Sequence, residues 1–358
     1  MNDHKRDYSI VANRICIILL LFIMMLIPAA ASDTMFRGNP EHTGVFDNGG
    51  IEPTNTELWR FNMEYPECGS IMSSPAVSNG LVYVGGLDGL YAIDAITGEE
   101  KWRSKMDNAL ISSPTVSNDV VYVGGLQNLY AIDAMTGNEK WKFEEEVDFR
   151  YSPPAVSNGI VYAGSCGGGV YAIDAITGKE KWQFKTKYAV QSSPAVSNVT
   201  VYIAINDGYL HAIDAMTGEE NWRFHIGLSN APPPAVSNGV VYVGGLQNLY
   251  AIDAMTGNEK WRFKMKGNWA SAPAVSNDAI YVGSYDGLYA IDAITGKENG
   301  RLISQEFLIH HLRFRMVLSM SGVMITYYML LDKSHRIVPL YPNRTNPGAK
   351  LDRRQIAN

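Results

Sequence analysis

The chain is 358 residues long and is short of the groups from which enzymes and nucleic-acid binders are usually built. It has three cysteines (Cys16, Cys68 and Cys166), too few for a disulfide framework and with no two adjacent. Of its seven histidines only His211 and His225 lie in the regular part of the chain, and neither sits beside a matching nucleophile or ligand. No HExxH, CxxC or GxSxG stretch occurs, and the Gly167-Gly168-Gly169 run reads as a hairpin turn, not as a phosphate cradle. Charged residues make up only 18% and the net charge is −6, which removes the electrostatic case for nucleic acid. The longest apolar runs cover residues 15–27 and 316–331, thirteen and sixteen residues, both short for a membrane helix. Helical periodicity is also missing, which excludes a helical solenoid.

What the chain does contain is a repeat. Leu90-Tyr91-Ala92-Ile93-Asp94-Ala95-Ile96-Thr97-Gly98-Glu99-Glu100-Lys101-Trp102 recurs five more times, the last copy lacking its tryptophan. The motif aspartates Asp94, Asp133, Asp174, Asp214, Asp253 and Asp292 are 39, 41, 40, 39 and 39 residues apart. A fixed period near forty marks a radial or solenoid repeat. Each period holds four apolar, β-branched and tyrosine-rich runs, separated by Asn, Asp and Gly residues that suit tight hairpins. The expected fold is therefore all-β, a β-propeller of about six four-stranded antiparallel blades. Residues 120–141 and 240–261 are identical over 22 positions, so these copies have diverged little.

The pattern AxDAxTGxxxW resembles the tryptophan-docking motif of the pyrroloquinoline-quinone-like propeller family. The resemblance implies that Trp59, Trp102, Trp141, Trp182, Trp222 and Trp261 dock between blades, near the Ala and Gly of the motif. Burying about 200 Å² of one such ring is worth at most about 5 kcal/mol, which makes these residues structural. The repeated Asp is expected to cap its own turn, because it has no second ligand nearby. The resemblance also brings an enzymatic alternative, a quinoprotein dehydrogenase holding the quinone with calcium. Against it stand short uniform blades and the missing pair of adjacent cysteines. A further alternative is an outer-membrane assembly propeller, which uses such repeats to hold a partner protein.

Taken in order, residues 1–31 read as a signal peptide. Lys5, Arg6 and Arg14 precede the thirteen-residue apolar run, and Ala29-Ala30-Ala31 forms a small-residue cleavage site. The expected location is secreted: extracellular, at the cell surface, or periplasmic. Residues 32–56 form a lead-in and 57–298 the propeller. Residues 58–62 match the tryptophan strands, and the sixth repeat lacks one, so they are expected to close the last blade. Residues 299–358 carry nine Lys or Arg against three Asp or Glu, unlike the acidic remainder. Two readings of this basic tail stand. It is a membrane anchor through residues 316–331, or it is read out of frame, in which case the ring has seven or eight blades.

Positions that repeat in every copy are explained by packing, so a site is sought where the copies differ. The connections from each tryptophan strand to the next blade, with the turns between second and third strands, fall on one face of a propeller. That face is expected to carry Tyr65, Phe149, Arg150, Tyr151, Tyr188 and Trp269, with Asp88, Asn128, Asp207 and Asp286 from the turns. Aromatics beside amides and acids suit a protein or glycan partner, and the same aromatics could instead plug the blade junctions. The function expected is a non-catalytic binding scaffold, with no catalytic, cofactor-binding or metal-binding residues assigned.

Overall fold

A computed structural model describes residues 39, 59–61, 73–86, 88–106, 112–229, 232–267, 270–276, 278–284 and 286–303. The signal-like segment, residue 65, residue 269 and the tail beyond 303 lie outside the described residues. Among the described residues there are 24 strands in six four-stranded antiparallel sheets and no helix. The blades span residues 76–105, 115–144, 155–185, 195–225, 235–264 and 274–303, numbered one to six below. In each sheet the strands lie side by side in chain order.

Blade one shows why this sequence makes this sheet. Its second and third strands, Leu81–Gly85 and Gly89–Asp94, are apolar at almost every position and buried at almost every position. Alternation is absent because both faces of the sheet are covered. The fourth strand, Glu100–Lys105, is half-exposed and alternates charged residues with Trp102. The turns follow from residues that tolerate positive φ, as at Asn158 (51°) and Gly159 (72°), whose successive left-handed conformations give a tight turn between the first two strands of blade three.

The motif aspartate acts within its own turn, as expected. Asp94 Oδ1 accepts from the backbone N–H groups of Ile96 (3.0 Å) and Thr97 (2.8 Å), and Lys101 Nζ lies 3.2 Å from Oδ2. The Thr97 N–H is the main reason that the carboxyl is held down at about 2. Lys101 reaches back because the third and fourth strands shift register here. Ala92 faces Trp102 while Ile93 faces Glu100, leaving Lys101 as the extra residue of a bulge. All six blades carry this shift. A bulge adds twist to a strand.

Between blades the same contact repeats. Trp102 donates its indole N–H to the Ala134 carbonyl of blade two at 3.0 Å, and the Tyr83 hydroxyl donates to the same oxygen at 3.1 Å. The two rings lie 5.8 Å apart. Gly137, at φ +74°, closes the socket, since a Cβ there would lie 2.7 Å from the Trp102 ring. Trp141, Trp182, Trp222 and Trp261 dock in the same way on Ala175, Ala215, Ala254 and Ala293. The apolar clusters accordingly run between blades, with Ala76, Tyr83, Leu90 and Ala92 of blade one packed on Val116, Val121, Val123 and Ile132 of blade two.

The ends differ from expectation. Residues 59–61, the described part of the expected closing strand 58–62, pair with no sheet, and Glu298–Ile303 takes the fourth-strand position of the sixth sheet. Gly300 stands opposite Ala290, where the other blades have tryptophan. Strand pairing uses backbone groups, so the missing ring does not prevent it. Trp59 docks instead on blade one, donating to the Ala95 carbonyl at 3.0 Å. The propeller thus extends to 303, five residues past the boundary read from the sequence.

Candidate functional site

The connections and the turns between second and third strands do share one end of the blades. Cys166 N–H donates to Asp148 O (2.8 Å), Val190 N–H to Ser165 O (3.0 Å), and Asn206 N–H to Ala189 O (3.1 Å). Each bond ties a connection to a neighbouring turn. Cys166 is a free thiol, pushed up in pKa chiefly by burial, and Cys68 lies outside the described residues.

The aromatic candidates separate into two groups. Phe149 is fully buried, with its ring 5.4 Å from Tyr171 and 6.2 Å from Phe143. It plugs the junction of blades two and three and presents nothing to a ligand, which corrects its assignment to the binding face. Tyr151 and Tyr188 are 40% and 43% exposed, the two aromatics among the exposed large hydrophobic side chains of the described residues. Each has a cation over its ring: Arg150 at 5.4 Å from the Tyr151 centroid and Lys187 at 5.5 Å from that of Tyr188. Arg150 is itself held by Asp148, through Nε at 2.9 Å and Nη2 at 2.7 Å, a two-point bond that fixes its plane. Lys187 was not among the sequence candidates. The signal was there in the adjacent Arg150-Tyr151 and Lys187-Tyr188 pairs. Tyr65 and Trp269 lie outside the described residues.

The acids and amides of the turns are used inside their own blades. The Tyr91 hydroxyl donates to Asp88 at 2.7 Å, and Arg103 Nη1 donates to the same carboxylate at 3.1 Å. Asp286 receives the Tyr289 hydroxyl and Arg301 in the same positions, and Asn128 Nδ2 donates to the Tyr130 hydroxyl at 3.1 Å. In blade four a histidine replaces the tyrosine. His211 is 3% exposed, with Nε2 3.0 Å from Asp207 and Nδ1 2.6 Å from Glu220. Asp88 and Asp286 brace their turns against the third and fourth strands, and Asn128 and Asp207 hold third-strand side chains, so all four are braces more than free recognition groups. Among the described residues no three His, Cys, Asp or Glu side chains converge on a point that could hold a metal.

Three overlapping stretches, residues 48–150, 125–232 and 206–299, match the family described as outer membrane protein assembly factor BamB. No curated protein matches the chain. Among solved structures, BamB from Moraxella catarrhalis is similar with a TM-score of 0.56 and 22% identity, covering 65% of this chain and 73% of that one. A europium-containing methanol dehydrogenase gives 0.57 and 15%, covering 64% and 68%. Quinohemoprotein alcohol dehydrogenase from Comamonas testosteroni gives 0.61 and 15%, covering 70% of this chain and 62% of that one. At these identities the likeness is one of fold, and the fold is common to binding proteins and enzymes. Since the matched stretches together run through residues 48–299, the chain belongs to the BamB-described family of pyrroloquinoline-quinone-like propeller repeats.

Proposed function

We propose that this protein is an exported, non-catalytic scaffold that holds a protein partner on the face carrying Tyr151 and Tyr188. The observation that carries the reading is the pair of exposed tyrosines, each under a cation and each on a successive blade connection. Tyrosine and arginine are enriched in protein interfaces because they bring a large rigid apolar area with a polar tip. Arg150 is already oriented by Asp148, so little side-chain freedom is lost on binding. The family's assembly-factor description supports a protein partner in preference to a glycan. Export rests on the sequence of residues 1–31.

The enzymatic alternative needs donors for calcium and a quinone. The turn acids are each bonded to a Tyr, Arg or His of their own blade and sit in different blades, so they do not form such a donor set. These residues do not fit the group.

The test is photocrosslinking in the source cell's envelope, with a benzophenone amino acid at position 151 or 188 and a control at Met255. Met255 is 87% exposed and lies in the turn between third and fourth strands, at the other end of the blade. A discrete protein adduct from 151 and 188 but not 255 is the expected result. Equal adducts at all three positions, or none, would remove the proposal. Stoichiometric quinone absorbance after reconstitution with calcium would replace it with the enzymatic reading.

A further inference from the structure

The turn between first and second strands follows one pattern in most blades, and blade four departs from it. In blades one, two, three and five both central residues are left-handed: Asn79-Gly80, Asn118-Asp119, Asn158-Gly159 and Asn238-Gly239, with φ between 50° and 74°. Positive φ at both positions is what the commonest two-residue hairpin turn requires. In blade four the pair is Asn198-Val199, and only Asn198 is left-handed, at φ 55°. A β-branched residue is disfavoured in that region, so Val199 changes the turn. The next residue departs as well. Thr200 stands where the other blades have Leu81, Val120, Ile160, Val240 and Ala279.

Packing of the blade does not call for these changes. Val199 is 59% exposed and so adds little to the core. The Thr200 hydroxyl lies within hydrogen-bonding reach of the Tyr202 phenol, yet the matching tyrosines Tyr83, Tyr122, Tyr162 and Tyr242 dock without such a neighbour. The blade is otherwise regular, since Ala215 N–H donates to Val199 O at 2.9 Å just as Ala95 N–H does to Gly80 O. What Thr200 does change is the reading of the turn. This is the one turn of the six that spells Asn-x-Thr, the acceptor sequence for an N-linked glycan. The Asn198 side chain is exposed, and its amide has no partner among the described residues. In blade one, by contrast, Asn79 Nδ2 donates to Asp119 at 2.8 Å.

We propose that Asn198 is a site of N-linked glycosylation. The step joins Asn198 Nδ2 to C1 of an oligosaccharide carried on a polyprenyl phosphate or diphosphate. The bond from C1 to the phosphate oxygen breaks, the lipid phosphate leaves with the electron pair, and one amide proton passes to the base of the transferase. The exchange needs no oxidant or reductant. Asn198 is reached without breaking a bond of the fold, so the sheet accommodates the sugar whether it is attached before or after folding. The Ala215–Val199 bond ties this turn to the one between third and fourth strands, at the end of the blade away from Tyr151 and Tyr188. There the glycan lies beside Val199 and Met216, both exposed. The inference rests on the export part of the proposed function and is independent of the partner part.

The test is tryptic mapping by mass spectrometry of the full chain purified from its source cell, with fractionation of the same culture. The peptide of residues 188–223 is expected to carry the added mass of an oligosaccharide. Mapping keeps this site apart from Asn343-Arg344-Thr345, which lies outside the described residues. Thr200→Val installs the residue found at Val120 and Val240, so it should keep the circular dichroism of the parent and lose the added mass completely. Thr200→Ser should retain it. An unmodified peptide in protein recovered outside the cytoplasm would overturn this inference alone. An unmodified peptide in protein recovered from the cytoplasm would overturn it together with export. Added mass that persists in Thr200→Val would also overturn it, because the attachment would then not depend on the Asn-x-Thr turn. A glycan at Asn198 in a chain that gives no crosslink from 151 or 188 would uphold this site and remove the partner.

Discussion

The carbonyl of Ala215 accepts from two side chains of the preceding blade, Trp182 Nε1 at 3.0 Å and the Tyr162 hydroxyl at 3.2 Å. Ala215 is 4% exposed, so this oxygen is closed to bulk water. Tyr162→Phe removes one donor and leaves the carbonyl bonded to the other, which should cost about 1 kcal/mol. Trp182→Phe loses a similar bond and part of a buried ring, about 2 kcal/mol in all. When both are changed the oxygen has no partner, and its unpaid desolvation adds roughly 1–3 kcal/mol beyond the sum. The double variant should therefore be less stable than additivity allows, with a coupling of about 1–3 kcal/mol. Urea unfolding of the four proteins, followed by circular dichroism and fluorescence together, measures it from the midpoints at constant slope. A control cycle pairs Tyr162→Phe with Trp261→Phe, whose acceptor is Ala293 two blades further on, and should be additive within about 0.5 kcal/mol. Additivity of the Tyr162–Trp182 pair would refute the shared-acceptor account, because the two bonds would then be independent.

Alkaline stability reports the same tyrosines. Burial, above all, pushes Tyr83, Tyr162 and Tyr242 up to about 12, against 10 for an exposed phenol. The fold binds these protons more tightly than the unfolded chain. Their contribution is therefore complete below pH 10 and is lost as pH rises through 12, about 2–3 kcal/mol per tyrosine. Urea midpoints should fall between pH 10.0 and about 12, the range between the two values, and fall less in Tyr162→Phe; a flat profile would mean that these hydroxyls titrate freely. Two glycine variants isolate the docking contact. Gly159→Ala meets nothing within 4 Å and bears only the strain of φ +72°, about 1–2 kcal/mol. Gly137→Ala bears the same strain and also places a methyl 2.7 Å from the Trp102 ring, which should add roughly 1–3 kcal/mol. Equal thermal shifts for the two would show that the tryptophan does not need this glycine.

The sequence by itself determined the blade. Hairpin turns depend on two or three neighbouring residues, and apolar runs of five or six positions define strands covered on both faces. Both signals are local, so the six-fold recurrence of Asp94 and its counterparts was sufficient to read the architecture. The capping role of that aspartate was legible for the same reason, since the backbone N–H groups that donate to it lie two and three residues away. Blade closure was not legible. Whether residues 58–62 or Glu298–Ile303 complete the sixth sheet is a competition between two segments far apart in the chain, and backbone pairing does not require the tryptophan that the motif led one to seek. The binding face was only partly readable. Phe149 and Tyr151 stand two residues apart in one connection, yet one is sealed against Tyr171 of the next blade and the other is open to solvent. Likewise Asp88 and Asp207 look like free acids in the sequence, and Arg103 and His211, brought to them by strand register, occupy them. Exposure and pairing of this kind depend on what the neighbouring strand or blade places opposite a residue, and only the tertiary structure sets that.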